Sequence, residues 1–216
     1  MFKIMRYKLF VAVILISSAN LLWAQFPEIK TDLDKKVKSF LEENEKSWRD
    51  LNVPLSDGKV LYDLVIENKY KSAIEIGTST GHSGIWIAWA LSKTGGKLIT
   101  FEIDPNRHRQ AVENFKKAGL ADYIDARLGD AHELVPALKG KYDFVFSDAD
   151  KDWYKNYFIA MDPKIVVGGC FVAHNVTQSS RDIREFVEYI ESQNNYKTTI
   201  NRSGGGISIS YKTKEK

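Results

Sequence analysis

Five apolar runs alternate with helical patterns through most of this chain, and no other feature restricts its fold as much. The runs lie at 72–76, 97–103, 123–128, 142–147 and 165–173, and the helical patterns at 82–93, 105–118, 130–138, 151–161 and 180–193. Strands alternating with helices of this length predict a parallel sheet covered on both faces, an α/β fold. The C-terminal part differs. Lys197 to Asn201, the stretch Ser203-Gly204-Gly205-Gly206, and Ile207 to Tyr211 read as strand, turn and strand. An antiparallel strand closing such a sheet is unusual for dinucleotide-binding domains.

Upstream, Thr31 or Asp32 can cap a charged helix running to about Trp48, with Leu33, Val37, Phe40 and Leu41 as its apolar stripe. Residues 52–58 read as a loop, and a helix is expected from Lys59 to about Asn68. The first 24 residues read as an export signal. Lys3, Arg6 and Lys8 precede the apolar run from Leu9 to Ile16, and Leu22-Trp23-Ala24 precedes a candidate cleavage point. The product is then exported, periplasmic or secreted. The alternative is an uncleaved anchor, the only membrane contact expected.

Removing that segment takes away three basic residues and no acidic ones, so the balance falls from 31 − 28 = +3 to 28 − 28 = 0. The basicity belongs to the signal and gives no support to nucleic-acid binding. Residues 25–216 suit one domain with a substantial core. Cys170 is the single cysteine, so no intramolecular disulfide forms. Its apolar flanks mark a buried strand residue.

Three strand ends carry chemistry. In the stretch from Ala73 to Ser83, a strand containing Glu75 runs into Gly77 and Gly81 and then a helix start. Glycines let the backbone approach a ligand, and the helix N–H groups face the same crevice. A second acidic strand end follows at Glu102, as in nucleotide sites of Rossmann-like sheets. The spacing is not G-x-G-x-x-G, which disfavours a dinucleotide. A nucleoside cofactor without pyrophosphate fits better, and S-adenosylmethionine is such a molecule. Next, Phe144-Val145-Phe146-Ser147 leads into Asp148, Asp150 and Asp152, hard oxygen donors beyond a strand's carboxyl end. A charged helix N-terminus accounts for Asp150 and Asp152 but less well for Asp148. Finally, the strand around Cys170 ends in His174 and Asn175, either metal ligands beside Asp148 or a packed histidine in a turn.

Together these segments resemble the class I, metal-dependent O-methyltransferases, the group containing the caffeoyl-CoA and catechol enzymes, over roughly residues 31–213. The resemblance implies a seven-stranded sheet of order 3-2-1-4-5-7-6 with strand 7 antiparallel. It implies that Glu75, Gly77, Thr78, Ser83, Glu102, Ala131 and Asp150 hold S-adenosylmethionine, with a backbone contact from Val53. It places Asp148, His174 and Asn175 on metal-ligand positions, and Lys151 where the catechol enzymes take the substrate hydroxyl's proton, so that Lys151 and Asp148 are the catalytic pair. It also implies a hydroxylated small-molecule acceptor, phenolic or catecholic, and often a homodimer. The family pattern has Asp-Asn where this chain has His174-Asn175. That change either shifts preference from Mg²⁺ toward Mn²⁺, Fe²⁺ or Zn²⁺, or abolishes the metal site. Two rival functions follow: an exported, non-catalytic binding protein that kept the pocket, and a nicotinamide-dependent oxidoreductase. Trp48, Trp153, Tyr154 and Tyr157 are candidates for an aromatic pocket, whereas Trp86 and Trp89 are expected to pack inside.

Overall fold

The computed structural model describes residues 26–202 and 205–216. The export segment expected at 1–24 lies outside the described residues. Each apolar run forms a strand: β1 Ser72–Ile76, β2 Lys97–Glu102, β3 Ile124–Leu128, β4 Tyr142–Ser147 and β5 Ile165–His174. The C-terminal pair forms β6 Tyr196–Asn201 and β7 Ile207–Lys212. The sheet order is β3-β2-β1-β4-β5-β7-β6. The first five strands are parallel, and β7 runs antiparallel to both β5 and β6. This is the seven-stranded, Rossmann-like arrangement the resemblance implied.

The described residues form seven α-helices, two ahead of β1 and five between strands: α1 Asp32–Glu43, α2 Leu55–Asn68, α3 His82–Thr94, α4 Pro105–Ala118, α5 Ala131–Ala137, α6 Tyr154–Met161 and α7 Arg181–Glu191. The core divides at the sheet. One cluster joins α1 to α4 around the fully buried Trp86 and Trp89, and the other joins α5 to α7 around Phe158, Phe171 and Phe186. Both tryptophans therefore pack as expected. Thr31 caps α1 in a capping box with Asp34, whose buried carboxylate also accepts from Trp89 Nε1 at 2.7 Å.

Two boundaries differ from the periodicity. The first helix stops at Glu43, where Asn44 turns its amide onto the Phe40 carbonyl at 2.8 Å and a 3₁₀ turn follows. The second begins at Leu55, directly after Pro54, so residues 55–58 are helix rather than loop. Gly58 suggested a loop, but it serves packing, since a Cβ there would collide with the Trp86 indole. This earlier start has a functional consequence, because it turns Asp57 into a first-turn helix residue.

Candidate active site

Strand order reverses between β1 and β4, and a crevice of about 760 Å³ opens beyond their carboxyl ends. Ligands of open α/β sheets bind at such a switch point. One end of the crevice is built by β1, β2 and the glycine turn. Gly77 has φ +99°, and a Cβ there would lie 2.9 Å from the Asp148 carbonyl oxygen, so only glycine lets the turn pass β4 this closely. Glu102 lines the crevice at the end of β2. Its Oε2 accepts from Ser79 N–H at 2.7 Å and its Oε1 from Asp104 N–H at 2.9 Å. Those two bonds fix the carboxylate and leave further lone pairs for a ligand's hydroxyls.

Glu75 is fully buried beneath the turn and does not line the crevice. Its Oε2 accepts from Thr100 Oγ1 at 2.6 Å, while Oε1 is buried without a hydrogen-bond partner. Burial pushes its carboxyl up to about 7, against the pull of the Ser83 and Thr100 hydroxyls. Thr78, Ser83 and Val53 are also buried behind the wall. Thr78 Oγ1 bonds to Thr100 Oγ1, and the Val53 carbonyl meets His82 Nδ1 at 2.9 Å. Of the expected cofactor residues, Gly77, Glu102, Ala131 and Asp150 line the crevice, and Val53, Glu75, Thr78 and Ser83 support it from behind.

The other end is built of side chains. Asp148, Lys151, His174 and Asn175 all line it. Lys151 Nζ donates to Asp148 Oδ1 at 2.7 Å and to the Ala149 carbonyl at 3.1 Å. Asn175 Nδ2 donates to the same Oδ1 at 3.3 Å. Asn175 takes φ +59°, and Gly205 leaves room for its side chain, since a Cβ there would strike Oδ1. Part of the glycine run read as a simple hairpin turn thus forms a wall of the site. Of the aromatic candidates, Tyr157 lines the crevice. Tyr154 is buried and donates to the His174 carbonyl at 3.0 Å, and Trp48 stacks on His82 at 4.7 Å. Trp153 stacks at 3.9 Å on His132, a lining residue that carried no signal in the sequence.

Asp57 is the residue that sequence reasoning missed. Its Oδ2 lies 2.8 Å from His174 Nε2, while Asp148 Oδ2 lies 3.1 Å from His174 Nδ1. Burial by itself disfavours charge on the ring, but the two carboxylates outweigh it and raise its pKa to about 9. The same contact holds the Asp57 carboxyl below the usual carboxylate range despite its burial.

These observations bear differently on the two expected ligands. The glycine cradle and the Glu102 carboxylate suit a nucleoside cofactor with hydroxyl donors. The expected metal ligands come together in space but not as a donor set. Both His174 nitrogens face carboxylates, both Asp148 oxygens carry donors, and Asn175 turns its amino group to Asp148. A ring with a proton on each nitrogen has no lone pair for an ion, so this arrangement does not fit a divalent cation.

Known proteins share this architecture. Among solved structures, the O-methyltransferase from Bacillus cereus in complex with SAH superposes with TM-score 0.74 at 26% identity, covering 86% of this chain and 93% of that one. The tomaymycin-synthesis O-methyltransferase from Streptomyces achromogenes, in complex with SAM, gives TM-score 0.74 at 24% identity over 91% of this chain and 96% of that one. Among curated relatives, a catechol O-methyltransferase from Niastella koreensis is 36% identical over 62% of this chain and 62% of its own. Caffeoyl-CoA O-methyltransferase 1 from Eucalyptus globulus is 31% identical over 66% of this chain and 62% of its own. The chain thus spans about 62% of the length of these relatives. The family model for O-methyltransferases matches residues 28–195, a stretch that holds both ends of the crevice apart from the Gly205 wall, and the chain belongs to that family.

Proposed function

We propose that this protein transfers the methyl group of S-adenosylmethionine to a hydroxyl of a small phenolic or catecholic acceptor. One observation carries the reading. A single crevice joins a glycine-and-carboxylate cradle at β1 and β2 to a lysine-carboxylate pair at the end of β4. The catechol and caffeoyl-CoA enzymes among its relatives, and the cofactor complexes among its structural neighbours, support the same assignment.

When bound, the cofactor supplies an electrophilic methyl on a sulfonium centre. The chain's own residues supply binding, alignment and the handling of one proton. Glu102 accepts the ribose hydroxyls, Gly77 lets the ligand lie against the main chain, and Ala131 and Asp150 close the wall. Lys151, once its own proton has passed to solvent, takes the acceptor's hydroxyl proton. The O–H bond breaks as an N–H bond forms on Nζ, which leaves the oxygen lone pair free for the methyl that a bound cofactor would supply, its sulfur keeping the electron pair of the old bond. Asp148 holds Nζ toward the crevice at 2.7 Å, and the resulting ammonium stabilises negative charge left on the oxygen. Alignment of two reactants contributes up to roughly 7–11 kcal/mol in the best cases. Metal assistance is no part of this reading, because the donor set is closed. The leader-like segment at 1–24 extends the proposal to a role outside the cytosol.

Calorimetric titration with S-adenosylhomocysteine and with NAD, paired with a methyl-transfer assay on a catechol panel, tests the reading. Binding of the first ligand only, with methylated product, is expected. Binding of NAD instead, or of neither, overturns it, and S-adenosylhomocysteine binding without turnover on any acceptor favours a non-catalytic binding protein.

A further inference from the structure

We propose that the Asp57–His174–Asp148 bridge, together with Lys151, takes the place of a divalent cation, so that methyl transfer proceeds without a metal. The inference rests on the methyltransferase reading for its chemistry, but its geometry stands alone. His174 is 5% exposed, and each ring nitrogen lies on a carboxylate oxygen, at 2.8 and 3.1 Å. A histidine that ligates a metal directs one nitrogen lone pair at the ion and uses the other nitrogen for an outer hydrogen bond. Here Asp57 occupies the outer position and Asp148 the inner one.

Asp148 is shared in the same way. Oδ2 faces the imidazole, and Oδ1 accepts from Lys151 and Asn175. A carboxylate only accepts, so it must face the amino end of the Asn175 amide, and the amide oxygen, the end that could bind a cation, turns away. In the resting site the four ionisable groups balance internally: two carboxylates, Asp57 and Asp148, surround the Lys151 ammonium and the His174 imidazolium. A divalent ion would have to displace both cationic partners from Asp148, and it would gain one carboxylate in return. Where the family pattern has a carboxylate, this chain has His174, and the carboxylate lost there is supplied by Asp57 from helix α2. There it faces the far side of the ring, where it anchors His174 and cannot reach the ion's position.

Metal binding and proton placement decide the question on the full-length chain. After dialysis against a chelator, elemental analysis should find no stoichiometric metal. Calorimetry with Mg²⁺, Mn²⁺ or Zn²⁺ should give no binding tighter than about 1 mM. In a ¹⁵N-imidazole spectrum, the His174 signal, assigned by its loss in His174→Gln, should show both nitrogens protonated near neutral pH and stay unchanged on adding Zn²⁺. Methyl transfer in chelator should stay within about twofold of the rate with added metal. Retained stoichiometric metal, a metal-induced shift of one His174 nitrogen, or a loss of turnover restored only by a divalent ion overturns the proposal. S-adenosylhomocysteine titrations on the same samples keep a failure of the cofactor reading distinct from a failure of this one.

Discussion

The two ends of the crevice are built by different means. The cofactor end is largely main chain, with Gly77 passing within reach of the Asp148 carbonyl and a Ser79 N–H gripping Glu102. The acceptor end is a set of side chains from three separate parts of the fold, Asp57, Asp148 with Lys151, and His174, that neutralise one another. A main-chain cradle fails when a Cβ is added, whereas a charge network fails when one member is removed. The histidines follow the same division. His82, behind the glycine turn, is pushed down to about 4 by burial, against the Val53 carbonyl. His174 is raised to about 9 by its two carboxylates, against its burial.

The largest effect is expected at the acceptor end. His174→Ala leaves two carboxylates facing each other without the ring between them. Breaking a buried charged pair costs roughly 3–5 kcal/mol. Asp57 keeps a side-chain exposure of 23%, which favours the low end of that range. Urea denaturation measures the loss, and a change of a few tenths of a kcal/mol would show that the network is not the cement proposed here. The pH dependence sharpens the contrast. His174 has a raised pKa, so its contribution is complete below about 6.5 and disappears as pH rises through about 9. His82 has a lowered one, so its contribution is complete above about 6.5 and disappears as pH falls through about 4. Glu75, whose carboxyl is raised to about 7, loses its contribution as pH rises through that value and so opposes the His82 term on the acid side. The net fall is therefore expected on the alkaline side, and His174→Gln should flatten it. An alkaline limb that survives the substitution assigns it to another group.

The same division governed how much could be read in advance. The cofactor end is local, with Glu75, Gly77 and Gly81 in one stretch and Glu102 at the next strand end, so spacing alone revealed it. What spacing could not reveal is that Glu75 points under the turn while Glu102 points into the crevice, because that depends on Thr100 across the sheet. The acceptor end was only half legible. Asp148, Lys151 and His174 stand at strand ends where chemistry is expected, but Asp57 lies 117 positions from His174. It also sat in a segment that Gly58 disguised as a loop. No periodicity encodes a contact between helix α2 and a strand end so distant in the chain.

Intermediate effects test the cofactor end. Glu102→Ala removes the acceptor expected for two ribose hydroxyls. Charge-assisted hydrogen bonds of this kind are worth about 1.5–3 kcal/mol, so affinity for S-adenosylhomocysteine should drop roughly 10- to 150-fold by calorimetry. Unchanged affinity would remove Glu102 from the binding site. Gly77→Ala should cost about 1–3 kcal/mol in folding stability from backbone strain at φ +99°. It should also weaken the ligand, because the new methyl presses on the main chain between Asp148 and Ala149. If stability falls while affinity holds, the close approach serves the sheet and not the cofactor.

The smallest effect is expected where the strap before α2 crosses the glycine turn. Arg107 forks onto Asp50 with distances of 2.9 and 3.0 Å, a geometry that invites a large role. The pair is partly open to water, with side chains 34% and 51% exposed, and solvent screening limits such pairs to about 0.2–1 kcal/mol. The strap has other ties. Ser79 Oγ donates to the Asp50 carbonyl at 2.6 Å, and Asn52 Nδ2 donates to Thr80 Oγ1 at 2.9 Å, both independent of the guanidinium. Arg107→Ala should therefore change urea stability by less than about 1 kcal/mol. It removes a charge from the crevice wall beside Glu102, so any change in S-adenosylhomocysteine affinity should fade as salt is raised. A stability loss well above that limit would show that the strap depends on one surface ion pair, and the cofactor end would then share the vulnerability assigned here to the acceptor end.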